Sequence, residues 1–244
     1  MFINKLIKKT KSNIIMLEDL IMTKKLFFEA ISKFLLGVIL IGLLIFLPAN
    51  TLKYKNGWIF MGLLFIPMLI AGIFMMIKNP KLLASRLDAK EKQKEQNIVI
   101  KLSGLMFIVG FILAGFDFRY NWSYIPPYFT YIFAIIFLLS YVMWAIVLKQ
   151  NTYLSRTIKV ETDQTVIDTG LYSIIRHPMY TATIFLFLSM PLILGSLISF
   201  FVFLLYPVLI IIRILNEEKY LTNNLQGYKD YKDKVKYRLI PFIW

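Results

Sequence analysis

Cysteine is missing from all 244 positions, and histidine occurs once, at His177. The chain therefore has no disulfide and no thiol chemistry, although this says nothing of its compartment. Acidic residues are scarce, 14 against 28 Lys and Arg. Neither they nor the histidine fall in the uncharged stretches 34–52, 56–77, 102–116, 120–148 and 178–212. Ion-coupled transporters usually carry such groups inside their spans, so a small transporter or a lipid-binding scaffold is the weaker reading. A cleavable secretory leader is not expected either. Ile14-Ile15-Met16-Leu17 is too short for its apolar core, and no small-residue cleavage site follows. No internal repeat or low-complexity tract is visible.

What is abundant is apolar surface. Hydrophobic residues make up 58% of the chain and the mean hydropathy is +0.66, whereas soluble domains hold roughly 45–50% apolar residues. A membrane-crossing helix needs about 20 mostly apolar residues, with about 17 as the lower limit. The first, second and fourth stretches qualify outright, and the third must borrow Asp117 and Phe118 at the interface. The fifth is too long for one crossing, and Gly195-Ser196 divides it into 178–194 and 196–212. The expected fold is all-α: a polytopic membrane protein with about six transmembrane helices, the last two a tight helical hairpin. Three regions follow. Residues 1–32 form a basic N-terminal extension, either a surface-lying amphipathic helix or a stretch preceding a natural start at Met22. Residues 33–148 hold four spans and a charged cytoplasmic loop at 78–101, with Asn79-Pro80 and then Arg86 to Lys94, itself expected as a charged helix. Residues 149–244 carry the catalytic region with its hairpin and tail.

With six spans, 25 of the 28 Lys and Arg residues share one side of the membrane, leaving Lys53, Lys55 and Arg119 for the other. The positive-inside rule makes the rich side, with both termini, cytoplasmic. A net charge of +14 spread over four short segments fits anionic lipid headgroups better than nucleic acid, which is not an expected partner.

Polar clusters flank the fifth stretch at both ends: Gly170-Leu-Tyr-Ser-Ile-Ile-Arg-His-Pro-Met-Tyr180 before it, and Arg213-Ile-Leu-Asn-Glu217-Glu218 after it. A hairpin brings them to one surface. Pro178 suits the first turn of a helix, so Arg176-His177-Pro178 reads as a helix entrance. Its free N–H groups, with Arg176 beside them, favour an anion. His177 can donate or accept a hydrogen bond near neutral pH. Tyr172 and Tyr180 offer flat faces to an aromatic base or a sulfonium cation. Each of these residues alone reads more readily as an ordinary interfacial anchor. Arg213 and Glu217, four apart, share a helix face that Tyr220 extends. Arg213 lies at the membrane boundary, where ionisable groups usually have a partner or a purpose. Glu217 and Glu218 form a carboxylate pair suited to an ammonium or sulfonium group. Together the clusters suit a zwitterionic, cationic cofactor.

The ordered series Gly-x-Tyr-x-x-x-Arg-His-Pro-x-Tyr, apolar hairpin, Arg-x-x-x-Glu-Glu, Gly-x-x-Tyr-x-x-Tyr, Arg-x-x-Pro resembles the isoprenylcysteine carboxyl methyltransferase family, a relative of the membrane phospholipid methyltransferases. It falls here on Gly170, Tyr172, Arg176, His177, Pro178, Tyr180, Arg213, Glu217, Glu218, Gly227, Tyr228, Tyr231, Arg238 and Pro241, within residues 150–244. The resemblance implies methyl transfer from S-adenosylmethionine to a lipid-borne acceptor reached from the bilayer, prenylated or otherwise lipophilic. It implies cofactor contacts from Gln164, Thr165, Val166 and Ile167, from Tyr172 and His177, Pro178, Met179 and Tyr180, and from Glu217 with Glu218. Arg213 would bind the acceptor, and Arg213 and Arg176 are the catalytic candidates. One departure is Thr181-Ala182 after Tyr180, where many members have a small glycine two residues after the motif tyrosine. A carboxylate acceptor needs no general base. The alternatives are a phospholipid amine N-methyltransferase and an NADPH-dependent sterol-type reductase, which the proline after His177 disfavours. The expected location is a prokaryotic cell membrane. No metal is expected, and the oligomeric state is open.

Overall fold

The computed structural model describes the backbone of residues 2–87, 94–151, 153, 160 and 163–244, and side chains from residue 24 onward except 94–95. Among the described residues there are helices and no strand. Helix α1 (Phe2–Ala49) continues unbroken from the basic extension into the first span. It is followed by α2 (Lys55–Lys78), the short α3 (Pro80–Leu87), α4 (Lys94–Tyr120) and α5 (Pro127–Gln150). After a 3₁₀ turn (Gly170–Ser173) come α6 (Pro178–Leu194), α7 (Leu197–Phe203), α8 (Leu205–Asn224) and α9 (Tyr228–Lys234). Five helices are long and apolar enough to cross a membrane, with α7–α8 counting as one at Leu197–Asn224, and α6 is a shorter apolar helix. This is a polytopic all-helical membrane protein.

Three expectations about boundaries change. The third span is not short: α4 is apolar enough across Gln96–Tyr120, carrying Lys101 and Asp117 within it. The fourth begins only at Pro127, because Asn121–Pro126 form the connection, and a proline at the first helical position costs no hydrogen bond. The loop at 78–101, expected as a charged helix, holds α3 up to Leu87 and the first turns of α4 from Lys94, while residues 88–93 lie outside the described residues.

The hairpin forms where it was expected. Gly195 ends α6 at φ 81°, a left-handed conformation that glycine adopts without a Cβ penalty. Ser196 then caps α7, its hydroxyl accepting from the Ser199 N–H at 3.1 Å. The returning leg is interrupted once, at Leu204. Pro207 cannot donate to the Phe203 carbonyl four residues back, so α7 and α8 meet in a slight break.

Lipid tails compete for apolar surface as well as any leucine does, so packing in a bilayer depends on close fit and polar clasps. Both are present. At Gly115 of α4 the α1 backbone comes so near that a Cβ would overlap the Ile45 carbonyl. Asp117, 2% exposed, clasps the hairpin turn. It accepts from the Ser196 hydroxyl at 2.5 Å and from the Ser123 hydroxyl and N–H at 2.5 and 2.7 Å. Tyr54 adds a bond to the Leu194 carbonyl at 2.5 Å. Replacing Asp117 with alanine strands these donors, so unfolding in detergent is expected to need about 1–3 kcal/mol less free energy. An unshifted denaturant midpoint would show the clasp to be dispensable.

Candidate active site

The end of the bundle opposite Asp117 holds a cavity of about 380 Å³. Its walls come from both legs of the hairpin, from 164–167, and from the first half of the chain. Gln164, Thr165, Val166, Ile167, Tyr172, Arg176, His177, Met179, Tyr180, Arg213 and Glu217 all line it, so the hairpin unites the two polar clusters. Pro178 and Glu218 are absent from the lining.

Tyr180, on the first turn of α6, is the bridge across the cavity. Its hydroxyl donates to Glu217 Oε2 at 2.5 Å and accepts from Arg213 Nε at 2.8 Å. The expected Arg213–Glu217 face on α8 is thus spanned by a phenol from the other leg, a partner that helical spacing alone does not reveal. The Arg213 guanidinium also lies 6.0 Å from the Tyr180 ring centroid. Both α8 residues are half-buried and line the cavity.

The two adjacent glutamates do different work, which corrects the reading of them as one carboxylate pair. Successive helical residues point about 100° apart, and Glu218 is 3% exposed, turned into the protein. Its Oε1 accepts from Arg176 Nε at 2.6 Å and sits 3.2 Å from His177 Nε2; its Oε2 accepts from Arg238 Nε at 3.1 Å. Arg176 also donates to the Val235 and Lys236 carbonyls at 2.5 and 2.9 Å. This knot binds α8, the entrance to α6 and the tail into one unit. Arg176 touches the cavity, but its guanidinium is engaged in that knot.

The entrance to α6 is not an open anion site either. The Arg176 and His177 N–H groups donate to the Tyr237 and Arg238 carbonyls, both at 2.9 Å. Thr181 adds a bond to the Leu239 carbonyl at 2.8 Å. The donors expected to hold an anion hold the tail instead. Aromatic surface is richer than expected: Tyr228 and Tyr231 join Tyr172, and the Tyr231 hydroxyl donates to the Tyr172 carbonyl at 2.7 Å. Burial raises the phenol pKa of all three above its ordinary value, keeping them neutral hydrogen-bonding groups. At the exposed rim, Lys234 lies 2.9 Å from Asp168 and holds that carboxylate below its usual range.

Sequence reasoning missed the contribution of the first half of the chain. Arg86 of α3, Ile100 of α4 and Trp144 of α5 all reach the cavity. None of the three was singled out by the sequence, where the one available signal was a cation, Arg86, near the membrane boundary. Among the described residues no group of acidic residues and histidine is arranged to hold a metal ion.

The fold and the cavity define a class: an integral membrane protein with an aromatic and charged cavity at one end of its helical bundle. Residues 130–223 match the model of the isoprenylcysteine carboxyl methyltransferase (ICMT) family. The matched segment is thus similar to a family of carboxyl methyltransferases. The match begins inside α5 and ends before the Tyr228–Tyr231 element and the tail that completes the knot. A comparison with curated proteins finds no match.

Proposed function

We propose that the protein transfers a methyl group from S-adenosylmethionine to the carboxylate of a lipid-borne acceptor. The observation that carries this reading is the Arg213–Tyr180–Glu217 bridge, facing a cavity lined by Tyr172, Tyr228 and Tyr231. The residues present fit such a cofactor. The cavity volume lies within the roughly 300–1,000 Å³ of small-molecule sites. The tyrosine faces suit an adenine ring and a sulfonium, and the Glu217 carboxylate suits an ammonium. Gln164 to Ile167 line one wall.

S-adenosylmethionine supplies, when bound, a methyl group already activated on its sulfonium. What remains for the chain is to align a nucleophile and exclude water. Arg213 presents a planar guanidinium able to grip a carboxylate at two points, and it cannot take its proton. Tyr180 fixes the guanidinium by accepting from Nε. It also holds Glu217, so one phenol sets the positions of a cation for the acceptor and an anion for the cofactor. Glu218 acts only through the knot, as a positioning residue. With most cations expected on the cavity's side of the membrane, a cytoplasmic mouth follows, and the greasy acceptor arrives laterally from lipid.

Membranes containing the protein, incubated with methyl-labelled S-adenosylmethionine, should yield label that alkali releases as volatile methanol. Label stable in lipid would instead indicate amine methylation, and none above control membranes would sink the proposal. Arg213→Lys keeps the charge but loses the fork. That variant should bind S-adenosylmethionine almost normally while turnover falls at least about tenfold, roughly 1.4 kcal/mol of transition-state stabilisation. Parallel loss of binding and turnover would make Arg213 a mere partner of Glu217 through Tyr180.

A further inference from the structure

The tail from Tyr237 to Trp244 is fixed at its root and bare at its tip. Leu239 is buried in the main core and Trp244 packs against it, with the Arg238 guanidinium 4.8 Å from the Trp244 ring centroid. Phe242 and Ile243, by contrast, are 88% and 75% exposed, and Ile240 beside them is exposed as well. Phe242 also holds φ 67°, in the left-handed region, which strains a bulky side chain. Its ring meets Tyr237 at 5.2 Å between centroids, but that contact covers little of it. The backbone of the loop needs almost no help from water. The N–H groups of Arg238, Leu239 and Ile240 all donate to the main-chain oxygen of Trp244, those of Ile243 and Trp244 donate to the Ile240 carbonyl, and Pro241 has none. The tail lies at the mouth of the apolar helix α6. Its Tyr237 and Arg238 carbonyls accept from the Arg176 and His177 N–H groups, and its Leu239 carbonyl accepts from Thr181 on the first turn.

We infer that the 237–244 loop is a membrane anchor that docks on anionic lipid in the leaflet on the cavity's side, with Phe242 and Ile243 inserted below the headgroups. Irregular backbone enters a bilayer only where its polar groups are satisfied, and here they are satisfied within the loop. Apolar side chains on such a segment gain by leaving water, and basic neighbours gain from acidic lipid. Those neighbours are present. Residues 228–244 hold five cations, Lys229, Lys232, Lys234, Lys236 and Arg238, against Asp230 and Asp233. Lys229 and Lys236 are exposed, whereas Lys234 is engaged with Asp168 and Arg238 with Glu218. A second copy of the chain would bring the same excess of cations to the contact, which like-charge repulsion opposes. A surface of acidic lipid meets both the apolar tip and the cations. The same loop seats the entrance to α6 and, through Arg238, holds Glu218, so its anchoring braces the cavity from the membrane side. The anchor is independent of the reaction proposed above.

The chain has no cysteine, so a single introduced one can be labelled cleanly. Phe242→Cys would carry an environment-sensitive bimane. Ile243→Cys, which keeps the Phe242–Tyr237 contact, is a second reporter should the first disturb the loop. The full-length protein is placed in nanodiscs of phosphatidylcholine, alone or mixed with phosphatidylglycerol, whose acyl chains are brominated near the headgroup. With phosphatidylglycerol, emission at both tip positions should move to the blue and bromine should quench it. A label on Gln226→Cys, exposed ahead of α9, should stay water-like. One cation near an acidic surface changes the inserted fraction about fivefold. Removing two with the double variant Lys229→Gln/Lys236→Gln should therefore erase most of the preference for phosphatidylglycerol. Water-like emission at both tip positions, equal quenching in the two lipids, or quenching as strong at Gln226→Cys overturns the inference. Blue-shifted emission that bromine leaves unquenched overturns it too, because protein would then cover the tip, a second copy if the signal varies with the number of chains per nanodisc.

Discussion

Glu218→Ala is expected to lower the free energy of unfolding by about 3–5 kcal/mol, the cost typical of breaking a buried ion pair from one side. The carboxylate is 3% exposed and serves Arg176, Arg238 and His177 together. Without it the Arg176 guanidinium stays 4% exposed with no counter-charge from α8. The loss should spread, because the same arginine holds the Val235 and Lys236 carbonyls, and the tail in turn occupies the N–H groups of Arg176 and His177. Protease cleavage within 235–244 should therefore accelerate along with the drop in stability. The neighbouring Glu217→Ala removes a half-buried side chain and should cost far less. Equal destabilisation by the two variants, measured by denaturant titration in detergent, would mean that Glu218 is not the centre of a structural knot.

Glu217→Gln is expected to leave stability nearly unchanged and to weaken S-adenosylmethionine binding by about ten- to a hundredfold. Glutamine keeps the size of the side chain and an oxygen able to accept from the Tyr180 hydroxyl. What it loses is the charge facing the cofactor's ammonium, and a charge-assisted hydrogen bond in a partly buried site is worth about 1.5–3 kcal/mol. Tyr180→Phe provides the comparison. It retains the Glu217 charge but frees both Glu217 and Arg213 from their shared partner, so turnover should suffer more than cofactor affinity. Calorimetry showing unaltered binding in Glu217→Gln would remove this residue from the cofactor site.

Much of the architecture was legible because a bilayer imposes simple demands on a chain. Runs without charge announced the spans, and Gly195-Ser196 announced the turn, since only glycine adopts φ 81° freely and serine caps the helix that follows. The ends of the spans were less legible. Lys101 and Asp117 fall inside α4 because the lysine lies near one end and the aspartate is satisfied by Ser123 and Ser196. Counting uncharged residues cannot foresee such a clasp between separate loops. The short turn between α4 and α5 was hidden similarly, inside an uncharged run.

The cavity shows the same division. The sequence by itself determined that Arg176, His177 and Tyr180 share a surface with Arg213 and Glu217. A membrane-length hairpin has one place for its two ends, and 3.6 residues per turn put Arg213 and Glu217 on one face. Tertiary structure decided how each of them is held at the cavity. Glu217 and Glu218 are the same residue type in adjacent positions, yet a turn of about 100° sends one to the cavity and the other into a knot completed by a tail arginine twenty residues on. The entrance to α6 carries donors that any helix would offer, but the tail lies across them. Arg86 and Trp144 reach the site only because α5 packs beside the hairpin and α3 packs on α1 and α2, and no periodicity records a contact between distant segments. Local rules act through neighbours along the chain. The partner of a buried charge is chosen by packing, and in this protein those choices separate the residues that face the cavity from those that hold it together.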